Sequence, residues 1–239
     1  MKRLAAYLPL SRQAAIVRRT LPRRAWFRTA LAIARAQGRL VARMGGNGPF
    51  TTALMLDFWL RELSFGGFFP IPYRVTGAEV VCTPGAKLYT WTHLPLTEVP
   101  LRVGLEQGGE PPAVVADPGN IVGDNQVLVV GWKERVEAIP ADDQVLLRVR
   151  KKLAAGSPVV FLADQYLGGT LSDVPLRLAA RLRVPLVFQW AELASDGVVE
   201  VTFRYAPRPL SEDEEALEEN LVFLREWNRG ALERLGWGR

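Results

Sequence analysis

Histidine and cysteine are almost absent from this sequence, whose 239 residues include one of each, His93 and Cys82. A single cysteine excludes an intramolecular disulfide, and one cysteine with one histidine cannot supply the ligands of a structural zinc site. We therefore expect no metal and no cofactor, and a reducing, cytoplasmic setting fits best. Any acid–base chemistry that needs an imidazole has to use His93.

Several familiar catalytic motifs are also missing. The chain has no Gly-x-Ser-x-Gly elbow, no Gly-x-x-x-x-Gly-Lys-Ser/Thr loop and no zinc-deaminase or His-Glu-x-x-His pattern. Serine hydrolases, P-loop enzymes and metalloproteases are therefore poor candidates.

Long apolar runs are lacking as well. No stretch approaches the run of about 20 apolar residues that crosses a bilayer, and the nearest candidate, residues 50–60, is interrupted by Asp57. Arg12, Arg18 and Arg19 break up any apolar core of a secretory signal. We predict a cytoplasmic protein that, if it meets a membrane, lies on the inner face of the cell membrane as a peripheral protein.

Acidic residues are absent from residues 1–56, which hold eleven Lys or Arg, although the net charge of the whole chain is only +5. Such a surface suits an anionic membrane, nucleic acid or an acidic carrier protein. The sequence contains no recognised nucleic-acid-binding module, so we expect no nucleic acid partner.

Apolar spacings predict helices over residues 11–19 and 23–44, the second with Trp26, Phe27 and Leu31 on one face and arginines on the other. This basic amphipathic helix either lies on a membrane surface or packs its apolar stripe on the domain and leaves the charges solvated. Residues 1–48 are predicted to form a basic helical segment that ends in the glycine-rich linker 45–49. Residues 49–239 form the main domain.

From residue 75 onward short apolar runs alternate with amphipathic ones. The predicted strands cover residues 80–82, 88–92, 113–116, 127–132, 158–163, 184–193 and 198–205. The predicted helices cover 51–64, 97–107, 142–155, 172–183 and a final segment that starts at a capping box of Ser211 and Glu214. This alternation predicts an α/β fold with a mostly parallel central sheet covered by helices on both faces.

The stretch around His93 carries the leading chemical hypothesis. His93 follows the strand 88–92, and because Pro100 fits only in a first helical turn, we expect a helix that starts with Thr97 as its N-cap. A strand–turn–helix junction can fold Glu98 back onto His93, where a carboxylate would fix the tautomer of the imidazole and let it act as a general base. The alternative is a histidine that is hydrogen-bonded only for stability.

Further polar residues follow other predicted strands. Asp164 and Gln165 come directly after the apolar run 158–163, so Asp164 and His93 can face one cleft at the carboxyl edge of the sheet. The alternative role of Asp164 is to cap the loop at Gly168 and Gly169. Lys133 and Arg135 follow the run 127–132 and are candidates for binding an acceptor phosphate or sugar, although they also suit a solvated loop.

These motifs together resemble a known family. The segments His-Leu-Pro-Leu-Thr-Glu (93–98), Val-Val-Phe-Leu-Ala-Asp-Gln (159–165) and Ser-Asp-Val-Pro-Leu-Arg-Leu-Ala-Ala (172–180) are similar, in order, to motifs of the lipid A biosynthesis (late) acyltransferase family, within the glycerolipid acyltransferase-like group with a His-x-x-x-x-(Asp/Glu) signature. The resemblance runs from about residue 75 to about residue 227. It implies a glycerol-3-phosphate acyltransferase-like fold.

The resemblance also implies an activity, namely transfer of a fatty acyl group from an acyl carrier protein (acyl-ACP) or acyl-CoA thioester to a hydroxyl of a lipid or glycolipid. His93 and Glu98 would be the catalytic pair, and Asp164 and Gln165 would support the active-site region. The family's usual glycine and tryptophan between histidine and acid are replaced here by Leu-Pro-Leu-Thr, so the resemblance points to acyl transfer more than to lipid A as acceptor. The rival hypothesis is a catalytically idle relative that binds lipid or a partner protein at the same cleft.

Overall fold

The computed structural model describes residues 9–121, 123, 125–132, 135–164, 169–208 and 213–237. The predictions for Lys133, Gln165 and Ser211 lie outside these residues. In chain order the described elements are the helices α1 (Leu10–Thr20), α2 (Arg23–Arg43) and α3 (Gly48–Ser64), then β1 (Tyr73–Thr76), α4 (Ala78–Cys82), β2 (Leu88–Trp91), α5 (Val99–Glu106), β3 (Ala113–Ala116), β4 (Gln126–Leu128), β5 (Arg135–Pro140), α6 (Val145–Ala154), β6 (Val159–Leu162), α7 (Val174–Leu182), β7 (Leu186–Leu193), β8 (Val199–Tyr205) and α8 (Glu214–Arg234).

The described strands form one sheet in the order β1-β8-β7-β2-β6-β3-β5-β4. Neighbouring strands run parallel except for the antiparallel pairs β4–β5 and β7–β8. The predicted α/β class with a mostly parallel sheet and N-terminal helices is confirmed. Within the described residues, no helix combines the length and the apolar character that a membrane crossing requires.

Both faces of the sheet are covered because its strands alternate their apolar side chains. In β2, Leu88 belongs to one core and Tyr89 and Trp91 belong to the other, as the period of two along a strand requires. Helices α1 to α5 pack on the face of Tyr89, and α6 to α8 pack on the face of Leu88.

The N-terminal helices are part of this packing. The apolar stripe of α2 lies against α3 and the core, with Trp26 and Phe27 only 3% and 2% exposed. Trp26 and Phe27 therefore pack on the domain, which is the second of the two alternatives for this helix. Met44, at the helix end, is 71% exposed. The segment 45–49 leads directly into α3, where the side chain of Asn47 accepts a hydrogen bond from the Phe50 N–H.

Four local predictions were wrong. Residues 80–82 belong to a short helix, which follows Gly77 in the left-handed conformation (φ 78°), because three apolar residues in a row fit a buried helix as well as a strand. The strand predicted over residues 127–132 ends at Leu128. The N-cap of α5 is Glu98 instead of Thr97, and that of α7 is Asp173 instead of Ser172. Strands β1 and β5 were not predicted.

Candidate active site

The candidate site lies at the carboxyl ends of β2 and β6, which are neighbours in the sheet. From β2 the chain passes through α5 to β3, whereas from β6 it passes through α7 back to β7, on the other side of β2. Since α5 and α7 pack on opposite faces, the two connections diverge and open a crevice between the strand ends. Ligands of open α/β sheets bind at such a topological switch point.

The register of β2 and β6 brings His93 and Asp164 together there. Leu88 pairs with Val159 and Trp91 pairs with Leu162, so continuing the ladder by two residues sets His93 beside Asp164. The Asp164 carboxylate accepts hydrogen bonds from the His93 backbone N–H at 2.9 and 3.0 Å, and its Oδ1 lies 2.8 Å from the His93 Nδ1. Asp164 is buried, whereas 36% of the His93 side chain is exposed.

This contact decides which imidazole nitrogen can act as a base. A carboxylate accepts a hydrogen bond, so the Nδ1 partner of Asp164 carries the proton and Nε2 is left as the basic atom. The negative charge of Asp164 also stabilises the imidazolium that forms when Nε2 takes up a proton. His93 and Asp164 therefore form a dyad with the arrangement that general-base catalysis requires.

In the structure the ring of His93 contacts the carboxylate of Asp164, not that of Glu98, which the sequence had predicted beside it. The Glu98 carboxylate forms an ion pair with Arg61 of α3 at 3.2 Å. Arg61 in turn lies 3.2 Å from the carboxylate of Asp57, one turn earlier on the same helix. Glu98 thus belongs to a second group of charges, Asp57–Arg61–Glu98, on the α3 side of the loop that joins β2 to α5.

The path of that loop explains why Glu98 turns toward α3. The Leu94 N–H bonds to the Thr92 carbonyl at 2.7 Å, and Leu96 adopts a left-handed conformation with φ 68°, which is uncommon for a residue other than glycine. The buried Asp57 carboxylate accepts the Leu96 N–H at 3.0 Å. Helix α3 therefore fixes the loop through a backbone hydrogen bond as well as through the ion pair to Glu98.

The electrostatics of Asp57 and Glu98 differ from those of ordinary surface carboxylates. Burial raises the pKa of Glu98 to about 7; the Arg61 charge opposes this shift and the Asp57 charge reinforces it. Burial also raises the pKa of Asp57, against the lowering effect of Arg61 and of the Leu96 N–H. Near neutral pH, Glu98 is therefore divided between its acid and its ionised form.

His93 and Glu98 both line a cavity of about 310 Å³, which we call the first cavity. Its volume is at the lower end of the range of small-molecule sites. Most of its described lining is apolar: Phe65, Trp91, Leu101, Val114, Val115, Ala116, Val127, Leu128, Val130 and Leu162. The site thus combines a basic nitrogen with a wall that suits a hydrocarbon chain.

The hydroxyl groups among the described lining residues of the first cavity belong to Ser64 and Thr97. The Ser64 Oγ donates to the Leu60 carbonyl at 2.6 Å and accepts from the Gly131 N–H at 2.7 Å. The Thr97 Oγ1 donates to the Thr92 carbonyl at 2.7 Å. Both hydroxyls are held in backbone hydrogen bonds, so neither is arranged as a nucleophile activated by His93.

Arg135 is the one remaining predicted site residue that the structure describes, and it lies apart from this site. Arg135 begins β5 as an exposed residue and is not among the described residues that line the first cavity. Asp57 and Arg61 were not predicted as site residues. One signal was available, because Asp57 is the first acid of the chain and stands within an apolar helix, with Arg61 one turn away.

Comparison of the chain with models of known protein families gave no match, and comparison with curated proteins gave none either. In the part of the chain that the structure describes, no three His, Cys, Asp or Glu side chains lie together in a way that could hold a metal ion. The chemistry of the site therefore has to be argued from its own geometry.

Proposed function

We propose that this protein is an O-acyltransferase of the glycerol-3-phosphate acyltransferase-like group, similar to the lipid A biosynthesis acyltransferases. It would move a fatty acyl group from an acyl-ACP or acyl-CoA thioester to a hydroxyl of a lipid or glycolipid. The observation that carries the proposal is the His93–Asp164 dyad on the wall of an apolar cavity. A basic nitrogen beside a hydrocarbon-lined wall suits deprotonation of a hydroxyl next to a bound acyl chain.

In this mechanism His93 Nε2 takes the proton of the acceptor hydroxyl as its oxygen attacks the thioester carbonyl carbon. The resulting tetrahedral intermediate collapses by breaking the carbon–sulfur bond, and the imidazolium returns the proton to the departing thiolate. Asp164 keeps the imidazole oriented and balances its transient charge. The products are an ester and a free thiol.

Direct transfer is favoured over an acyl-enzyme route. An acyl-enzyme needs a side-chain nucleophile within reach of the base, and the Ser64 and Thr97 hydroxyls are engaged with backbone carbonyls. The thiol of Cys82 is exposed and contacts the Gln107 carbonyl, and Cys82 is not among the described residues of the first cavity. We therefore expect no covalent acyl-protein intermediate.

The proposal is tested by the release of free thiol from acyl-CoA or acyl-ACP in the presence of extracted membrane lipids, with wild-type protein and His93→Ala. Loss of the base should reduce turnover by about 10²–10⁴ while the thermal unfolding profile persists. Wild-type activity in His93→Ala would refute the mechanism. Absence of thioester cleavage with every donor and lipid pool would instead favour the idle relative that binds lipid or a partner at this cleft.

An anionic membrane surface, at the inner face of the cell membrane, is proposed as the place where the acceptor is met. In the described part of residues 9–56, no arginine forms an ion pair with an acid. Arg24, Arg28, Arg39 and Arg43 are exposed along α2. Phe65, a lining residue of the first cavity, is 69% exposed, so an apolar side chain is available at the mouth of the cavity.

Cosedimentation with vesicles tests this surface. Each Lys or Arg near an anionic bilayer contributes on the order of 1 kcal/mol, so replacing Arg24, Arg28 and Arg39 by Gln should greatly weaken binding to anionic vesicles. Phe65→Ser tests apolar insertion without disturbing the core, which a change at Trp26 or Phe27 would do. If the wild type sedimented equally with anionic and neutral vesicles, its binding would not depend on the charge of the membrane.

A further inference from the structure

A second cavity lies on the other side of the loop that carries His93. It measures about 380 Å³ and is bounded by the start of α3, the end of β7 and the end of α8. The loop forms the wall between the two cavities. His93, Thr97 and Glu98 line the first cavity, and Leu94, Pro95 and Leu96 line the second. Nothing in the mechanism proposed above uses the second cavity.

The wall of the second cavity is mainly aliphatic, with Ala53, Leu94, Leu193, Ala231 and Leu235 among its lining residues. Among the described residues, its charged lining residues are Arg35, Arg234 and Glu192. Arg234 is already bound to Glu192 through an ion pair. Arg35 donates one hydrogen bond, at 2.8 Å, to the Ser195 carbonyl, and in the described chain it has no carboxylate partner.

The balance of charge therefore differs between the two cavities. With Glu192 and Arg234 balancing each other, the guanidinium of Arg35 leaves a net positive charge. In the first cavity, Arg61 faces the carboxylates of Glu98 and Asp57, and the exposed Asp117 adds a further negative charge at the wall. An anion is thus favoured more in the second cavity than in the first.

We propose that the second cavity binds an amphipathic anion, a single short aliphatic chain that ends in a carboxylate or a phosphate. Arg35 would bind the head group through the donors that its contact with Ser195 leaves free, and the aliphatic wall would bury the chain. The proposal does not depend on acyl transfer. It rests on the shape and charge of this cavity alone.

Octanoate, octyl phosphate and octanol are suitable probes, titrated into the full chain by calorimetry. The two anions separate a carboxylate source from a phosphate source, and the neutral alcohol shows what the chain contributes alone. Both or one of the anions should bind. In Leu128→Trp, whose first cavity is filled, octanol should bind about tenfold more weakly than the anion or not at all. Arg35→Gln should reduce the affinity for the anion about tenfold, which corresponds to the loss of one charge-assisted hydrogen bond.

The matched control is Arg39→Gln, which removes the same charge one turn later on α2, at an exposed position outside the described lining. It should leave affinity within twofold of the wild type. Ala194→Trp fills the second cavity from the β7–β8 turn and should abolish binding. Leu128→Trp fills the first cavity and should leave binding intact.

The imidazole of His93 provides an independent reading, since it gives the sole histidine ring signals in the NMR spectrum. Anion binding behind Leu94–Leu96 should shift these signals in the wild type and not in Arg35→Gln. The proposal is overturned if neither anion binds, if octanol binds Leu128→Trp as well as the anion does, or if Leu128→Trp abolishes anion binding while Ala194→Trp keeps it. An anion that binds without shifting the His93 signals would also overturn the assigned location.

Discussion

Two groups of charges hold the loop between β2 and α5 from opposite ends, and they satisfy their carboxylates in different ways. At the sheet edge, the carboxylate of Asp164 is hydrogen-bonded to the backbone N–H and to the Nδ1 of His93. Both residues lie two positions beyond the last paired residues of β2 and β6. On the α3 side, Asp57 and Glu98 share the single cation Arg61. Burial raises the pKa of both Asp57 and Glu98, and the charge of Arg61 opposes this rise in each case.

Under the proposed function, the Asp164 group serves catalysis and the Asp57 group supports the loop. The sharpest test replaces one carboxylate in each by its amide. Asp164→Asn keeps an oxygen for the His93 backbone N–H but removes the charge that orients the protonated imidazole, so turnover should fall by about 10²–10⁴. Glu98→Gln should reduce turnover by less than tenfold. Steady-state thiol release from the thioester measures both.

Equal losses of turnover in Asp164→Asn and Glu98→Gln would show that the two groups of charges do not differ in their contribution to catalysis. Far-UV circular dichroism serves as the control that each variant remains folded. A large loss in Glu98→Gln alone would return the orienting role to Glu98, as the sequence resemblance implied.

The next test concerns stability and Asp57. Asp57→Ala leaves the Leu96 N–H without its acceptor and Arg61 with only Glu98, so the free energy of unfolding should fall by about 2–3 kcal/mol. Asp57→Asn keeps an acceptor oxygen and should lose less. Urea unfolding followed by tryptophan fluorescence compares the two, and an equal loss in both would mean that the hydrogen bond to Leu96 contributes nothing measurable.

A further effect should appear in the pH dependence of stability through Glu98. Its pKa is raised to about 7 in the folded protein, from an ordinary value near 4.3 in the unfolded chain. The folded state therefore binds this proton more tightly, and the resulting stabilisation is present at low pH and is lost as the pH rises from about 4.5 through 7. Glu98→Gln should flatten this decline and become more stable relative to the wild type at pH 8, by at most a few kcal/mol, since one pKa unit corresponds to about 1.4 kcal/mol.

Unfolding free energies of wild type and Glu98→Gln at pH 5, 6.5 and 8 provide the measurement. The difference between the two proteins should grow steadily in favour of the glutamine variant. A constant difference across this range would show that Glu98 does not titrate there.

The site was only partly predictable from the sequence. The runs 88–92 and 158–163 identified both strand ends, and the edge of a parallel sheet brought His93 and Asp164 to one cleft. The register that pairs Leu88 with Val159 depends on tertiary packing of the two strands, so the direct contact of Asp164 with His93 could not be derived. The resemblance favoured Glu98 instead.

The orientation of Glu98 depended on two features that a local pattern does not contain. One is the left-handed conformation of Leu96, a residue type that rarely adopts it. The other is the hydrogen bond that the Leu96 N–H donates to the carboxylate of Asp57, 39 positions away. Strand β1 escaped prediction for a similar reason, because its four residues gain their strand character from pairing with β8.

The order of the strands also bears on how the chain acquires its structure during synthesis. Tyr73 of β1 pairs with Val199 of β8, which lies 126 residues later in the chain. Arg74 is separated by the same number of residues from its hydrogen-bond partner Glu200. His93 meets its carboxylate only after 71 further residues have been made. Contacts of such high contact order form slowly, so a nascent chain that has emerged only as far as α6 lacks both the partner of its edge strand and the carboxylate partner of His93. Completion of the fold therefore has to wait for the last third of the chain.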